Sequence, residues 1–97
     1  GGMRLSEPGI DLAVAAAIVS SLRNRAVAKG TVIFGEIALT GELRPVSRME
    51  QRIAEAARMG MKRVVAPGAG EFARDGIECI DVTSVYEMLS AVLAKNA

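Results

Sequence analysis

The 97-residue chain has no histidine and no tryptophan, one cysteine, and three aromatic residues, Phe34, Phe72 and Tyr86. Without histidine, this chain holds no Ser-His-Asp or Cys-His nucleophile and no imidazole ligand for a metal. A single cysteine, Cys79, excludes an internal disulfide and a Cys-rich zinc site, and it fits a reducing compartment. Long hydrophobic runs are missing as well. The longest strongly apolar stretch, residues 12–19, falls far short of the ~20 residues that span a bilayer, and no signal-peptide pattern precedes it. Neither sign of charge dominates: 12 Lys and Arg against 11 Asp and Glu give +1, so the total exerts no general pull toward nucleic acid or membrane. These absences predict a soluble, cytoplasmic domain with no membrane contact. What the chain does have is aliphatic mass. It is 51% hydrophobic, so a core of Ala, Val, Ile, Leu and Met is expected, in one domain over residues 1–97.

The pattern alternates helices and strands. Glu7-Pro8 is expected to open the first helix, since proline is tolerated at a first helical position. Residues 10–22 carry only Asp11, Ser20 and Ser21 as strongly polar groups, and a helix apolar on nearly all sides belongs inside a fold. Asp11 fits the positive end of that helix. Residues 31–39 (TVIFGEIAL) read as one strand, Thr40-Gly41 as a hairpin turn, and residues 42–46 as a second short strand stopped by Pro45. Ser47-Arg48-Met49-Glu50 has capping-box spacing and predicts a helix from Ser47 to Gly60, with Met49, Ile53, Ala56 and Ala57 on one face. Residues 62–66 and 77–82 read as strands. Ser84-Val85-Tyr86-Glu87 repeats the capping box and starts a last helix that turns Val85, Met88, Leu89 and Val92 inward. Such an order implies an α/β (α+β) domain with helices packed on a small mixed sheet.

Few groups could carry chemistry. Pro67-Gly68-Ala69-Gly70 lacks the Lys-Ser/Thr of a phosphate loop and the spacing of a dinucleotide fingerprint, so it reads as a loop leaving a strand. With no base to hold it as thiolate, Cys79 reads as a small strand side chain. Glu36, an acid inside an apolar strand, needs a cationic partner, which an arginine from the hairpin or from the following helix could supply. Charge is segregated. Residues 44–63 hold six basic residues (Arg44, Arg48, Arg52, Arg58, Lys62 and Arg63) against two acids, net +4, whereas residues 64–97 have two bases against five acids, net −3. Arg48 and Arg52 stand one helical turn apart, with Arg44 just before them. A basic patch of this kind suits a phosphate backbone, a solvated helix face or an acidic neighbouring subunit. With so few aromatics, base-stacking recognition is not expected.

Residues 35–46 (GEIALTGELRPV), followed by residues 50–57 (EQRIAEAA), resemble the Lon-protease-like domain (ribosomal protein S5 domain 2-like). The likeness extends upstream through Glu7-Pro8 and its apolar helix, and downstream through residues 62–67 (KRVVAP). Together with GGMRLSEPGIDLA at the start, the SRMEQRI wording is most similar to the C-terminal domain of the RadA (Sms) family of bacterial DNA repair ATPases. Magnesium-chelatase-type (ComM) proteins share a similar hairpin. Active Lon domains use a serine and a lysine, and the matching positions here are Gly9 and Glu50. Glycine offers no nucleophile and glutamate no amine base, so the resemblance implies a fold without the peptidase and leaves no catalytic residue in this chain. It further implies a hexameric, DNA-dependent ATPase parent acting in recombinational branch migration. That parent carries ATP, magnesium and zinc in other domains, and no cofactor or metal belongs to this one. In that setting the domain serves as an oligomer scaffold and touches DNA without sequence specificity, with Arg44, Arg48, Arg52, Lys62 and Arg63 as the expected contacts. The chain is then expected to be a fragment that lacks its parent's zinc motif and ATPase and its own domain's first strands.

Overall fold

A computed structural model describes residues 9–94; Glu7 and Pro8, the expected opening of the first helix, lie outside them. The described residues form a mixed α/β arrangement of three helices and two three-stranded sheets. Helix α1 (Leu12–Arg23) begins later than the pattern predicts, because strand β1 (Gly9–Asp11) comes first and pairs antiparallel with β3 (Glu36–Ala38), Ile10 opposite Ile37. Asp11 then acts as N-cap: its carboxylate accepts from the Ala13 and Val14 amides at 2.8 and 3.1 Å, satisfying two donors that a helix start leaves open.

The long strand expected over residues 31–39 is two strands in two sheets. Strand β2 (Thr31–Ile33) runs parallel to β5 (Arg63–Ala66), which runs parallel to β6 (Glu78–Asp81), in the order β2-β5-β6. Strand β3 instead lies between β1 and β4 (Leu43–Arg44). Gly35 makes the switch. Buried at φ +134°, it has no room for a β-carbon, which would stand 2.9 Å from Pro67 Cδ and 3.2 Å from Leu12 Cδ2. Its carbonyl accepts from the Leu12 amide, tying the switch to the start of α1. The hairpin matches expectation: Gly41 takes φ +90°, and Gly41 N donates to Ala38 O at 2.8 Å.

Central strand β5 is apolar on both faces and divides the core. Val65 joins Leu12, Ala16, Met88 and Val92 beneath α1 and α3 (Val85–Val92). Val64 and Ala66 join Met49, Ile53 and Ala56 beneath α2 (Met49–Arg58). Alternation along one strand therefore serves helices on opposite sides. Helix α1 is not enclosed as expected. Leu12 and Ala16 are buried, but Val14, Ile18 and Leu22 are 52%, 54% and 80% exposed, since among the described residues no layer covers its outer face. Helix α2 starts at Met49, two residues after the predicted start, with Arg48 as N-cap in the left-handed region (φ 59°) and no side-chain cap bond. The capping box expected from Ser47 and Glu50 is not formed, because the left-handed turn at Arg48 displaces Ser47 from the cap position. The corresponding box at α3 does form: Ser84 Oγ accepts from the Glu87 amide at 3.0 Å.

Candidate functional site

The basic residues singled out by the sequence are spread over three elements. Arg44, on β4, faces Glu36 across the β3–β4 ladder, Nη2 to Oε1 3.5 Å. That identifies the hairpin, rather than the helix, as the source of the partner Glu36 requires. Arg63, on β5, is engaged twice: Nε donates to Glu78 Oε1 at 3.1 Å and Nη1 to Thr31 Oγ1 at 3.1 Å. These two arginines bridge neighbouring strands and have much of their charge answered within the chain. Lys62, just before β5, is exposed, and its stem packs over Gly30, where a β-carbon would meet Lys62 Cγ at 3.2 Å.

Arg48 and Arg52 are brought together. Both are exposed and line a cavity of about 480 Å³ between α2 and the edge strand β2, together with Val32, Phe34, Met61 and the acid Glu55. Arg52 is held in place: Nε donates to the Ser47 carbonyl at 2.9 Å, and its guanidinium carbon lies 5.8 Å from the centre of the Phe34 ring, a cation–π contact. Arg48 projects from the left-handed turn that starts α2. Neither forms an ion pair among the described residues, whereas Arg58, also on α2, pairs with Glu55. The mixed character of this cavity was missed by the sequence, which showed the charges but not that Phe34 and Met61 would come beneath them. Phe34 lies one residue beyond β2 and Met61 two residues before β5, so only the pairing of those strands makes them neighbours.

Gly9 and Glu50 lie in different surroundings. At Gly9 a β-carbon would find Arg44 Nη2 at 3.2 Å, the Ile37 carbonyl at 3.2 Å and Glu36 Oε1 at 3.6 Å, a crowded ion-pair environment. Glu50 is exposed on α2 and lines a separate, polar hollow with Glu71, Arg74 and Asp75. Cys79 is half-buried on β6, its Sγ 4.0 Å from the Phe72 carbonyl.

A family model described as subunit ChlI of Mg-chelatase matches residues 2–70. Among curated proteins, those named DNA repair protein RadA are similar over almost the whole chain: 46% identical over 98% of it in Halalkalibacterium halodurans, 47% over 97% in Streptococcus pyogenes and 46% over 96% in Bacillus subtilis. The chain spans about a fifth of the length of these relatives, 21% of each.

Proposed function

As the chain belongs to the family described by the ChlI subunit of Mg-chelatase and is homologous to proteins named DNA repair protein RadA, we propose that it is a non-catalytic, Lon-like module of a RadA-type DNA repair ATPase. It offers a basic edge to the DNA backbone and helps copies of its parent assemble. The observation that carries this reading is that Arg48 and Arg52, both exposed, line one cavity and neither forms an ion pair among the described residues, while Lys62 stands exposed over Gly30, just before β2. Contacts of this kind hold a backbone in place and read no sequence. Arg44 and Arg63 contribute less, since Glu36 and Glu78 already answer them. In this reading the peptidase is absent because Gly9 supplies no nucleophile and Glu50 no amine base. The ChlI match also suits a module of a magnesium-chelatase-type protein.

Anisotropy of a labelled single-stranded oligonucleotide, titrated with the chain over a salt series, tests the DNA contact. Three engaged phosphates predict a log–log slope of about −2, at roughly −0.7 for each. Arg48→Ala with Arg52→Ala is expected to bring the slope below about 1 in magnitude. A flat response from folded protein at low salt overturns the DNA contact. The ion pairs Arg44–Glu36 and Arg63–Glu78 favour a second reading, in which the basic residues serve the fold and the assembly alone.

A further inference from the structure

The cavity between α2 and β2 is deeper and more apolar than a grip on phosphates requires. One face of α2 lines it from the N-cap, Arg48, through Arg52 to Met59 after the last turn, at i, i+4 and i+11. That face changes character along its length, with guanidinium groups at the first turn and a thioether at the far end. Val32, Phe34 and Met61 line the cavity from the sheet. Its volume of about 480 Å³ lies in the range of roughly 300–1,000 Å³ that encloses small organic groups. Arg52 spends Nε on the Ser47 carbonyl, which leaves its Nη donors for an anion. Glu55, the acid on the same lining, pairs with Arg58, so neither Arg48 nor Arg52 answers it.

We propose that this cavity receives one base of a single-stranded DNA, while Arg48 and Arg52 hold the phosphate attached to it. Base insertion rests on the DNA contact put forward above and deepens it by naming the form of nucleic acid that fits. Charge placement selects the occupant. A nucleotide joins an anionic phosphate to an uncharged, planar ring, and the cavity joins a cationic end to an apolar hollow with an aromatic ring and two thioethers. An acidic side chain matches the cationic end alone, and an aliphatic one the hollow alone. Bases of a duplex are paired and stacked, and extruding one costs free energy, so a single strand is the form that enters. Stacking on a ring tolerates any base, so the contact reads no sequence. Scarce aromatics predicted no base stacking. The fold needs only one, Phe34, set beside Arg52 by the pairing of β2 with β5.

Anisotropy of a labelled oligothymidylate and of an abasic strand with the same number of phosphates, each over a salt series, tests it. The abasic strand is expected to bind at least about fivefold more weakly, with an unchanged salt slope. Phe34→Leu removes the ring and keeps an apolar side chain against the core cluster under α2. With circular dichroism to establish that it is folded, the variant is expected to weaken oligothymidylate binding several-fold and to leave the abasic strand nearly unchanged. The comparison of the two strands uses the unaltered chain and stands even where the variant does not fold. Equal affinity for the two strands, with a salt slope, overturns base insertion and keeps the backbone contact. No binding of either strand by folded protein overturns both. A variant that weakens both strands alike overturns the role of the Phe34 ring. Displacement of the oligothymidylate by an acidic, leucine-containing peptide, at lower concentration than by unlabelled strand, gives the cavity to a protein partner and overturns base insertion.

Discussion

At the scale of single residues, Gly35 has the clearest structural role. Its φ of +134° lies where L side chains rarely go, and Pro67 and Leu12 occupy the space a β-carbon needs. Gly35→Ala is therefore expected to lower unfolding free energy by about 2–4 kcal/mol in chemical denaturation, combining strain with overpacking. The sequence shows a glycine inside a β-rich run and leaves its role open. What makes it a switch between sheets is the approach of Pro67, 32 positions later, which local pattern cannot reveal. Glu36 was legible in part: an isolated acid in an apolar strand calls for a cation, and only the hairpin register, Glu36 opposite Arg44, decides which one.

At the scale of elements, the two helix starts with the same Ser-x-x-Glu spacing behave differently. At α3, Ser84 caps the Glu87 amide, while Glu87 Oε1 accepts from Thr83 N at 2.7 Å and Thr83 Oγ1 at 2.8 Å. The Thr83 amide, followed by the Thr83 hydroxyl, holds the Glu87 carboxyl below its ordinary 4.5. At α2, Arg48 turns left-handed and Ser47 makes no side-chain cap. Ser84→Ala is thus expected to destabilise by about 1 kcal/mol, and Ser47→Ala by less than about 0.5. A carboxyl whose folded value is depressed stabilises the fold above its unfolded value and loses that contribution as pH falls through the folded one. Glu87→Gln should accordingly cost stability at pH 7, cost progressively less below pH 4.5, and flatten the acid limb of a thermal-melting series.

At the scale of the whole molecule, the near-zero total charge hides a basic segment, residues 44–63, and an acidic one, residues 64–97, that the fold partly joins. Arg63 and Glu78 come from the two segments and meet across β5 and β6, and Arg44 is answered within the first sheet. Both pairs are partly open to solvent, where such pairs contribute about 0–1 kcal/mol. Arg44→Gln and Arg63→Gln are expected to lower stability by no more than about 1 kcal/mol, measured by denaturation, and to change oligonucleotide affinity less than twofold. Arg48→Gln and Arg52→Gln should show the reverse order of effects on affinity. The core rests on β5, whose Val64 and Val65 face opposite ways and link the cluster under α2 to the cluster under α1 and α3.

The sequence by itself determined the elements whose signals are local: the Thr40-Gly41 turn, the inward face of α2, the cap of α3 and the strands flanking Pro67. It also determined the family, because a long run of matching residues carries that information without any geometry. Tertiary structure decided the rest. Pairing of Gly9–Asp11 with β3 took the first turn of the expected helix, because a ladder satisfies the same backbone groups that a helix would. Strand pairing placed Phe34 and Met61 beneath Arg52 and so made a cavity of separated residues. The outer face of α1 stayed exposed although its sequence is as apolar as that of a buried helix. Hydrophobicity records what a segment can bury, and the presence of a partner layer depends on how the whole chain comes together.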